Sequence, residues 1–242
     1  FGLFVLFLFS CTQDDFYQDS TFIGDEEITK ITAVISAFDD VDTRTSFTTG
    51  EYPTNPNPVW AEGDSLGIYP DVGDQLSFRI NTGGGSNCTF TGGGWALKSS
   101  SSYTAYYPFR RYNYLEDKTA LPINMVGQTQ NGNDNSDHWG AYDYQIAKGK
   151  KPESGSLIFE FERKVALVRM ELKAPCAASW KSITLESTAT FTTKAKMNLS
   201  LETPTITATA QSNSVKLNLK NVRTTADDLD IIAYMMLLPV DF

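Results

Sequence analysis

Histidine is almost absent from this chain, which has His138 alone among its 242 residues. Histidine is the commonest general base and metal ligand, so a single copy argues against a Ser-His-Asp hydrolase and against a multi-histidine metal site. Long runs rich in alanine, leucine, glutamate and lysine are missing too, and no segment keeps a 3.6-residue periodicity with caps at both ends. We therefore expect a protein that is not an enzyme, holds no metal and needs no cofactor.

Basic residues are in the minority. Lysine and arginine together number 20 against 29 acidic residues, which gives a net charge of −9. An acidic surface repels phosphate backbones, so we expect no nucleic-acid partner. The same balance excludes a polybasic membrane patch, and any attachment to a membrane must have another source.

Cysteine is scarce, with only Cys11, Cys88 and Cys176 in the chain. Cys88 and Cys176 could form a disulfide in an oxidising compartment. They lie in different strand regions, so the sequence alone cannot place the two thiols within bonding distance, and we favour two unpaired, buried cysteines.

The N-terminus is apolar. Residues 1–10 have the length of the hydrophobic region of a signal peptide, and they are too few to span a bilayer. No initiator methionine or basic residue precedes them, so we expect the sequence to be clipped at this end. Leu8-Phe9-Ser10-Cys11 resembles a bacterial lipobox, which implies cleavage before Cys11 and a diacylglycerol on its thiol. The alternative is an apolar N-terminus with an incidental cysteine.

Residues 12–27 are polar and acidic and are interpreted as a tether. Acidic runs directly after a lipidated cysteine resemble the surface-export signal of Bacteroidia lipoproteins. The alternative is a tether that is acidic only for solubility.

From residue 28 onwards, short apolar or alternating segments are separated by turn residues, which favours an all-β sandwich or barrel-like fold. Residues 126–138 are predicted to form a loop from their polar composition. The strands are predicted at 28–38, 66–69, 76–80, 103–107, 157–161, 165–172, 183–191, 195–201, 205–210, 215–219 and 231–238.

Several motifs in this order resemble the fimbrillin-like (Mfa-like) family of Bacteroidia. They are Thr43-Arg44-Thr45-Ser46-Phe47, the run from Trp60 to Tyr69, the run from Tyr103 to Phe109, the run from Trp139 to Tyr144, the alternating run from Phe159 to Leu172, and the run from Met235 to Pro239. The resemblance implies a transthyretin-like β-sandwich as an N-terminal domain over residues 28–242, with a second domain expected beyond them. It also implies an exported outer-membrane lipoprotein, exposed at the surface or built into fimbriae.

In polymerising members of that family, an arginine-specific protease removes the first strand and a strand of another subunit fills the groove. By this resemblance residues 28–38 are the removable strand and Arg44 is the processing site. The alternative is that Arg44 only marks the entry to a strand. The implied partners are other fimbrial subunits, joined by donor-strand exchange, and the outer membrane, reached through the lipid on Cys11.

The alternative hypothesis is a surface lipoprotein that binds a glycan or a host protein and does not polymerise. Tyrosines could stack on a sugar, or half of them could pack inward as core; they are Tyr103, Tyr106, Tyr107, Tyr112 and Tyr114. The oxygen-rich segment Asn133-Asp134-Asn135-Ser136-Asp137 suggests Ca²⁺, but it lacks the EF-hand spacing and is better interpreted as a solvated loop.

Overall fold

The computed structural model describes residues 30–35, 59–71, 75–83, 85–92, 102–110, 118–150, 157–200 and 203–239. Within them the chain is built from strands, and the prediction of an all-β fold is confirmed. The strands are β1 Lys30–Ile35, β2 Ser65–Pro70, β3 Leu76–Arg79, β4 Asn87–Gly92, β5 Ser102–Tyr107, β6 Leu121–Asn124, β7 Thr129–Asn131, β8 Gln145–Lys150, β9 Leu157–Arg163, β10 Ala166–Lys173, β11 Ser179–Asn198, β12 Thr205–Arg223 and β13 Asp230–Leu237. A 3-10 turn occupies Trp139–Ala141, and no helix in the described residues is long and apolar enough to cross a bilayer.

Seven strands close into a barrel in the order β1-β4-β3-β2-β5-β8-β9. All neighbours are antiparallel except β1 and β9, whose parallel pairing closes the ring. Alternation along β9 sends Leu157, Phe159 and Phe161 inward, where they are buried. The interior is filled by a cluster rich in aromatic side chains.

The remaining strands form a second layered unit. β10 and β13 pair with each other, and β6, β11, β12 and β7 form a four-stranded sheet in that order. Alternate residues of β13 enter two different cores. Tyr234 and Met236 pack in one cluster, while Ala233 and Met235 pack in another. Because alternate side chains leave opposite faces of a sheet, both faces of the β10–β13 pair are covered.

One long hairpin, formed by β11 and β12, packs on both faces of the β10–β13 pair. Ala195 and Met197 near its tip pack in the cluster that holds Met236, whereas Leu217 and Leu219 nearer its base pack in the cluster that holds Met235. The two halves of the hairpin therefore lie on opposite faces of the β10–β13 pair. The register shifts between these halves, since four residues of β11, 187–190, stand opposite one residue of β12. A bulge of this kind bends the strand, which is consistent with one hairpin packing on both faces of the pair.

The edge of β13 is covered by residues 126–138, which the composition predicted to be a loop. That prediction is wrong in part, because the segment contains β7 and pairs in parallel with β12. Side-chain amides of residues 126–138 form hydrogen bonds with the main-chain N–H and C=O groups along the edge of β13. Gln130 donates to the carbonyl of Ile232 at 2.8 Å and accepts the amide of Tyr234 at 2.9 Å. Gln128 bonds Met236 in the same way.

Two strands predicted at 183–191 and 195–201 are one strand, β11, and those at 205–210 and 215–219 are one strand, β12. The serine- and threonine-rich centre of the hairpin hid this continuity, because exposed polar residues mimic a turn. Four strands, β4, β6, β7 and β8, were not predicted.

Candidate functional site

The strand that closes the barrel, β1, is the candidate functional site. It pairs antiparallel with β4, from Lys30 opposite Thr91 to Val34 opposite Asn87. On its other side it pairs in parallel with β9, from Ile31 opposite Leu157 onwards. Of the seven barrel strands, β1 comes first in the sequence, and it separates two strands that do not pair with each other.

One face of β1 is embedded in the barrel core. Ile31, Ala33 and Ile35 alternate with outward residues, and Ala33 is completely buried. Their apolar side chains lie in the cluster that contains Phe90 and Phe159. We call the space between β4 and β9 that β1 fills the slot. Every second residue of a strand points to the same face, so alternating apolar residues in β1 place their side chains in the core on one side of this slot.

Trp60 fixes β1 from within the core. Its indole Nε1 donates a hydrogen bond to the carbonyl oxygen of Ala33 at 3.1 Å. Its ring meets Phe90, Tyr107 and Phe161 edge-on, with centroids 5.2–5.4 Å away. Edge-to-face packing of this type adds to the energy of burial. A single side chain therefore joins β1 to β4, β5 and β9.

The turn after Trp60, at Glu62-Gly63-Asp64, is a tight one. Gly63 has a φ of +88°, a left-handed conformation that favours glycine. One oxygen of Asp64 accepts the Ala61 amide at 2.8 Å, and the other accepts the Tyr107 hydroxyl at 2.9 Å. Burial raises the pKa of Asp64 above its usual range, although these two bonds oppose the shift. Burial and the neighbouring Asp64 also raise the pKa of Tyr107, so its hydroxyl keeps its proton.

Two predicted site residues, the lipidation site Cys11 and the processing site Arg44, lie outside the described residues, as does the tether 12–27. Cys88 and Cys176 are free thiols, as favoured, but they are not both buried. Cys88 is half-buried in β4, and Cys176 is exposed because it stands in the turn between β10 and β11.

The tyrosine platform is not formed by the described members of that set. Tyr103, Tyr106 and Tyr107 are all buried. Tyr106 faces the second core because it lies on the outer side of the barrel wall, while Tyr103 and Tyr107 pack inside. Tyr112 and Tyr114 lie outside the described residues.

The acidic segment proposed above as a solvated loop is tied to β13. Asn133 accepts the Ile232 amide at 2.8 Å and donates to the Asp230 carbonyl at 3.0 Å. Asp134 accepts the hydroxyl of Tyr234. These oxygens already have protein donors.

Sequence reasoning missed β4 and therefore one wall of the slot. The signal was present in Asn87-Cys88-Thr89-Phe90, where Cys88 and Phe90 alternate with polar residues. Glycine-rich stretches on both sides concealed it, because glycines punctuate turns.

Comparisons with known proteins fit this architecture. A family model described as fimbrillin-like matches residues 43–242. Among solved structures, the chain is similar to the crystal structure of a candidate cell adhesion protein from Bacteroides ovatus, with a TM-score of 0.56 and 15% sequence identity over 91% of this chain and 80% of that one. At this identity the likeness concerns the fold. No curated protein matches the chain.

Proposed function

Because the chain belongs to the fimbrillin-like family, we propose that it is a structural or adhesive protein of the bacterial cell surface, a subunit or anchor of fimbriae assembled by strand exchange. In this proposal Cys11 carries the lipid that holds the exported precursor in the outer membrane. Arg44 is the site at which an arginine-specific protease trims it. No catalytic residue has a part in this function.

The observation that supports the proposal is the position of β1. Cleavage after Arg44 would release the chain up to that residue, including all of β1, because β1 ends at Ile35. Its loss would leave the facing edges of β4 and β9 without their partner. Unpaired strand edges beside an apolar slot take up an incoming strand readily, through main-chain hydrogen bonds.

The slot also specifies what the incoming strand must look like. It needs apolar residues at three alternating positions, where Ile31, Ala33 and Ile35 now lie. The central one must be small, since Ala33 is completely buried, and its carbonyl must meet the indole of Trp60. Side-chain pockets of this kind set the register of an added strand.

The test is limited digestion of the full chain with an arginine-specific protease, followed by N-terminal sequencing and native mass spectrometry. We expect a first cut after Arg44, release of the N-terminal fragment and a ladder of detergent-resistant oligomers. Arg44→Lys is the matched control, because it keeps the charge and removes the cleavage site, and it should stay monomeric.

A synthetic peptide of residues 28–38 makes the test specific to the slot. Added in excess during digestion, it should refill the slot and shorten the ladder. The same peptide with the Ala33→Glu change should have no effect, because a buried carboxylate without a partner is costly. A stable monomer after complete cleavage at Arg44 would contradict a polymerising subunit and favour a surface lipoprotein that binds a glycan or a host protein.

A further inference from the structure

A cleft of about 530 Å³ lies between the barrel and the second unit. Residues at the end of β2, at the beginning of β5 and in β8 form its barrel side. Leu199 and Ser200, which follow β11, and Lys118, which precedes β6, form the other side. The described residues that line the cleft include none from β1, β4 or β9, so it is separate from the slot. Small-molecule sites have volumes of about 300–1,000 Å³ and often lie between structural units.

Two lysines line the cleft, one from each side. Lys148 of β8 is anchored across it, because its Nζ donates to the Thr104 hydroxyl at 2.9 Å and to the Leu199 carbonyl at 3.0 Å. Lys118 is held through its main chain, since its carbonyl oxygen accepts the Leu199 amide at 2.6 Å. Both lysines therefore reach the cleft from positions that the fold fixes.

Lys118 is half-buried and forms no ion pair with another described residue. Partial burial removes water from its ammonium group, and an anion in contact with that group would compensate for the loss. Among the described lining residues Asp71, just after β2, is the one acidic residue. Two lysines and one aspartate give the lining a net charge of +1, in a chain whose net charge is −9. A lining of this charge favours a ligand with a single negative charge.

The other polar groups of the cleft suit a ligand that is rich in hydroxyl groups. The carboxylate of Asp71 and the hydroxyl of Ser102 line it on the barrel side, and the hydroxyl of Ser200 lines it on the other side. Ser200 donates its hydroxyl hydrogen to the side chain of Asn198 at 2.6 Å, so its oxygen faces a ligand as an acceptor. The cleft thus combines ammonium groups with acceptors for hydroxyl hydrogens.

We propose that this cleft binds an acidic sugar. Its carboxylate contacts the ammonium groups of Lys118 and Lys148, and its hydroxyls donate to Asp71 and Ser200. A phosphate ester fits less well, because its charge of about −1.5 to −2 is opposed by Asp71, and no arginine is among the described lining residues to hold it with two hydrogen bonds. A neutral sugar leaves the charge of Lys118 without compensation. An acidic sugar gives an adhesive surface protein a ligand other than its neighbouring subunits.

Glucuronic acid and N-acetylneuraminic acid are the probes that test the proposal. Glucose is the matched neutral sugar, because it carries a hydroxymethyl group where glucuronic acid has its carboxylate. Nuclear magnetic resonance of the isotope-labelled full chain in detergent micelles follows the amide signals of Lys118, Gly149 and Ser200, which all line the cleft. We expect at least one of the two acids to shift these signals in a saturable way, and glucose to leave them unchanged.

Lys118→Gln should weaken binding of the acidic sugar by about tenfold, because it removes a hydrogen bond between charged groups. Lys118→Arg keeps the charge and should preserve binding. Lys194→Gln is the matched control, since Lys194 is an exposed lysine of β11 that does not line the cleft. It should leave the affinity unchanged.

Acetate and inorganic phosphate distinguish a sugar site from a general anion site. We expect both to bind more weakly than the acidic sugar, because acetate has no hydroxyls and phosphate meets Asp71. Equal or tighter binding of either anion would overturn the proposal, and so would unshifted signals with both sugar acids or equal affinities of Lys118→Gln and the unmodified chain. These outcomes are independent of strand exchange, because the cleft shares no described residue with β1 or the strands beside it.

Discussion

Gln128 acts on Met236 as a neighbouring strand would. Its Nε2 donates to the Met236 carbonyl at 2.6 Å, and its Oε1 accepts the Met236 amide at 2.8 Å. Both groups of the carboxamide are used, and the side chain is only 2% exposed. With Gln130 and Asn133 it satisfies the outward main-chain groups of β13, so the sheet edge is covered without a full strand beside it.

Replacing Gln128 with leucine should therefore destabilise the fold. Two main-chain groups of Met236 would lose their partners in a buried site, and each unsatisfied group costs about 1–3 kcal/mol. We expect a loss of about 3 kcal/mol in the free energy of unfolding, measured by denaturant titration. Hydrogen exchange of the Met236 amide should become faster.

Gln211→Leu is the matched control, since Gln211 lies exposed in β12 and makes no hydrogen bond among those described for its side chain. It should change the stability by less than about 0.5 kcal/mol. If Gln128→Leu and Gln211→Leu lost the same free energy of unfolding, the hydrogen bonds from Gln128 to Met236 would not contribute to stability.

The sequence predicted the fold class, and its alternating run from Phe159 to Leu172 indicated which side chains of β9 and around the start of β10 face a core. Phe159, Phe161, Val165 and Leu167 are all buried, as expected. The family resemblance drawn from the motifs is confirmed by the family match. The alternation could not show that the first two of these residues enter the barrel while the last two enter the second core, because burial alone does not identify a partner.

The sequence could not show that residues 126–138 cover the edge of β13, and the reason is physical. Gln128 and Gln130 are polar, and polar residues between glycines and asparagines favour a loop. Their burial depends on main-chain groups more than a hundred residues away in sequence. A long-range hydrogen bond of this kind leaves no periodicity in either segment.

Gly83→Ala should destabilise the Trp60 turn. A Cβ at Gly83 would lie 2.5 Å from the amide nitrogen of Glu62 and 2.6 Å from the carbonyl oxygen of Trp60. These are main-chain atoms, so the turn itself must shift, and overpacking of this kind costs about 1–3 kcal/mol. Thermal unfolding measures the loss. At Gly85 the nearest atom to a Cβ is 3.5 Å away, so Gly85→Ala should be close to neutral; a Gly85→Ala loss as large as that of Gly83→Ala would contradict the steric argument.

Trp60→Phe should loosen β1 selectively. Phenylalanine keeps an aromatic ring in the core but lacks the donor that bonds the Ala33 carbonyl. We expect faster hydrogen exchange in β1, with little change in β13. Trp180→Phe also removes an indole hydrogen bond, to the Thr224 hydroxyl, and should leave β1 unaffected because Trp180 packs in another cluster. Uniform acceleration across the barrel after Trp60→Phe would indicate general destabilisation instead.

The single histidine predicts how stability depends on pH. His138 Nε2 carries the hydrogen that it donates to the Tyr234 carbonyl at 3.2 Å. Burial lowers the pKa of His138 below its usual value, although that carbonyl and Asp137 oppose the shift. As pH falls below about 6.5, the unfolded chain takes up the proton before the folded chain does, so stability is lost between that pH and the lower folded pKa.

His138→Gln should flatten the stability curve in this window, while the two proteins should show parallel curves above pH 7. Denaturant midpoints measured from pH 7.5 down to pH 5 provide the test. An unchanged slope in His138→Gln would contradict the role given to the histidine.

Asp64 affects the pH dependence of stability in the opposite direction to His138. Its raised pKa means that the folded chain binds the proton more tightly than the unfolded chain, so its contribution to stability increases as pH falls.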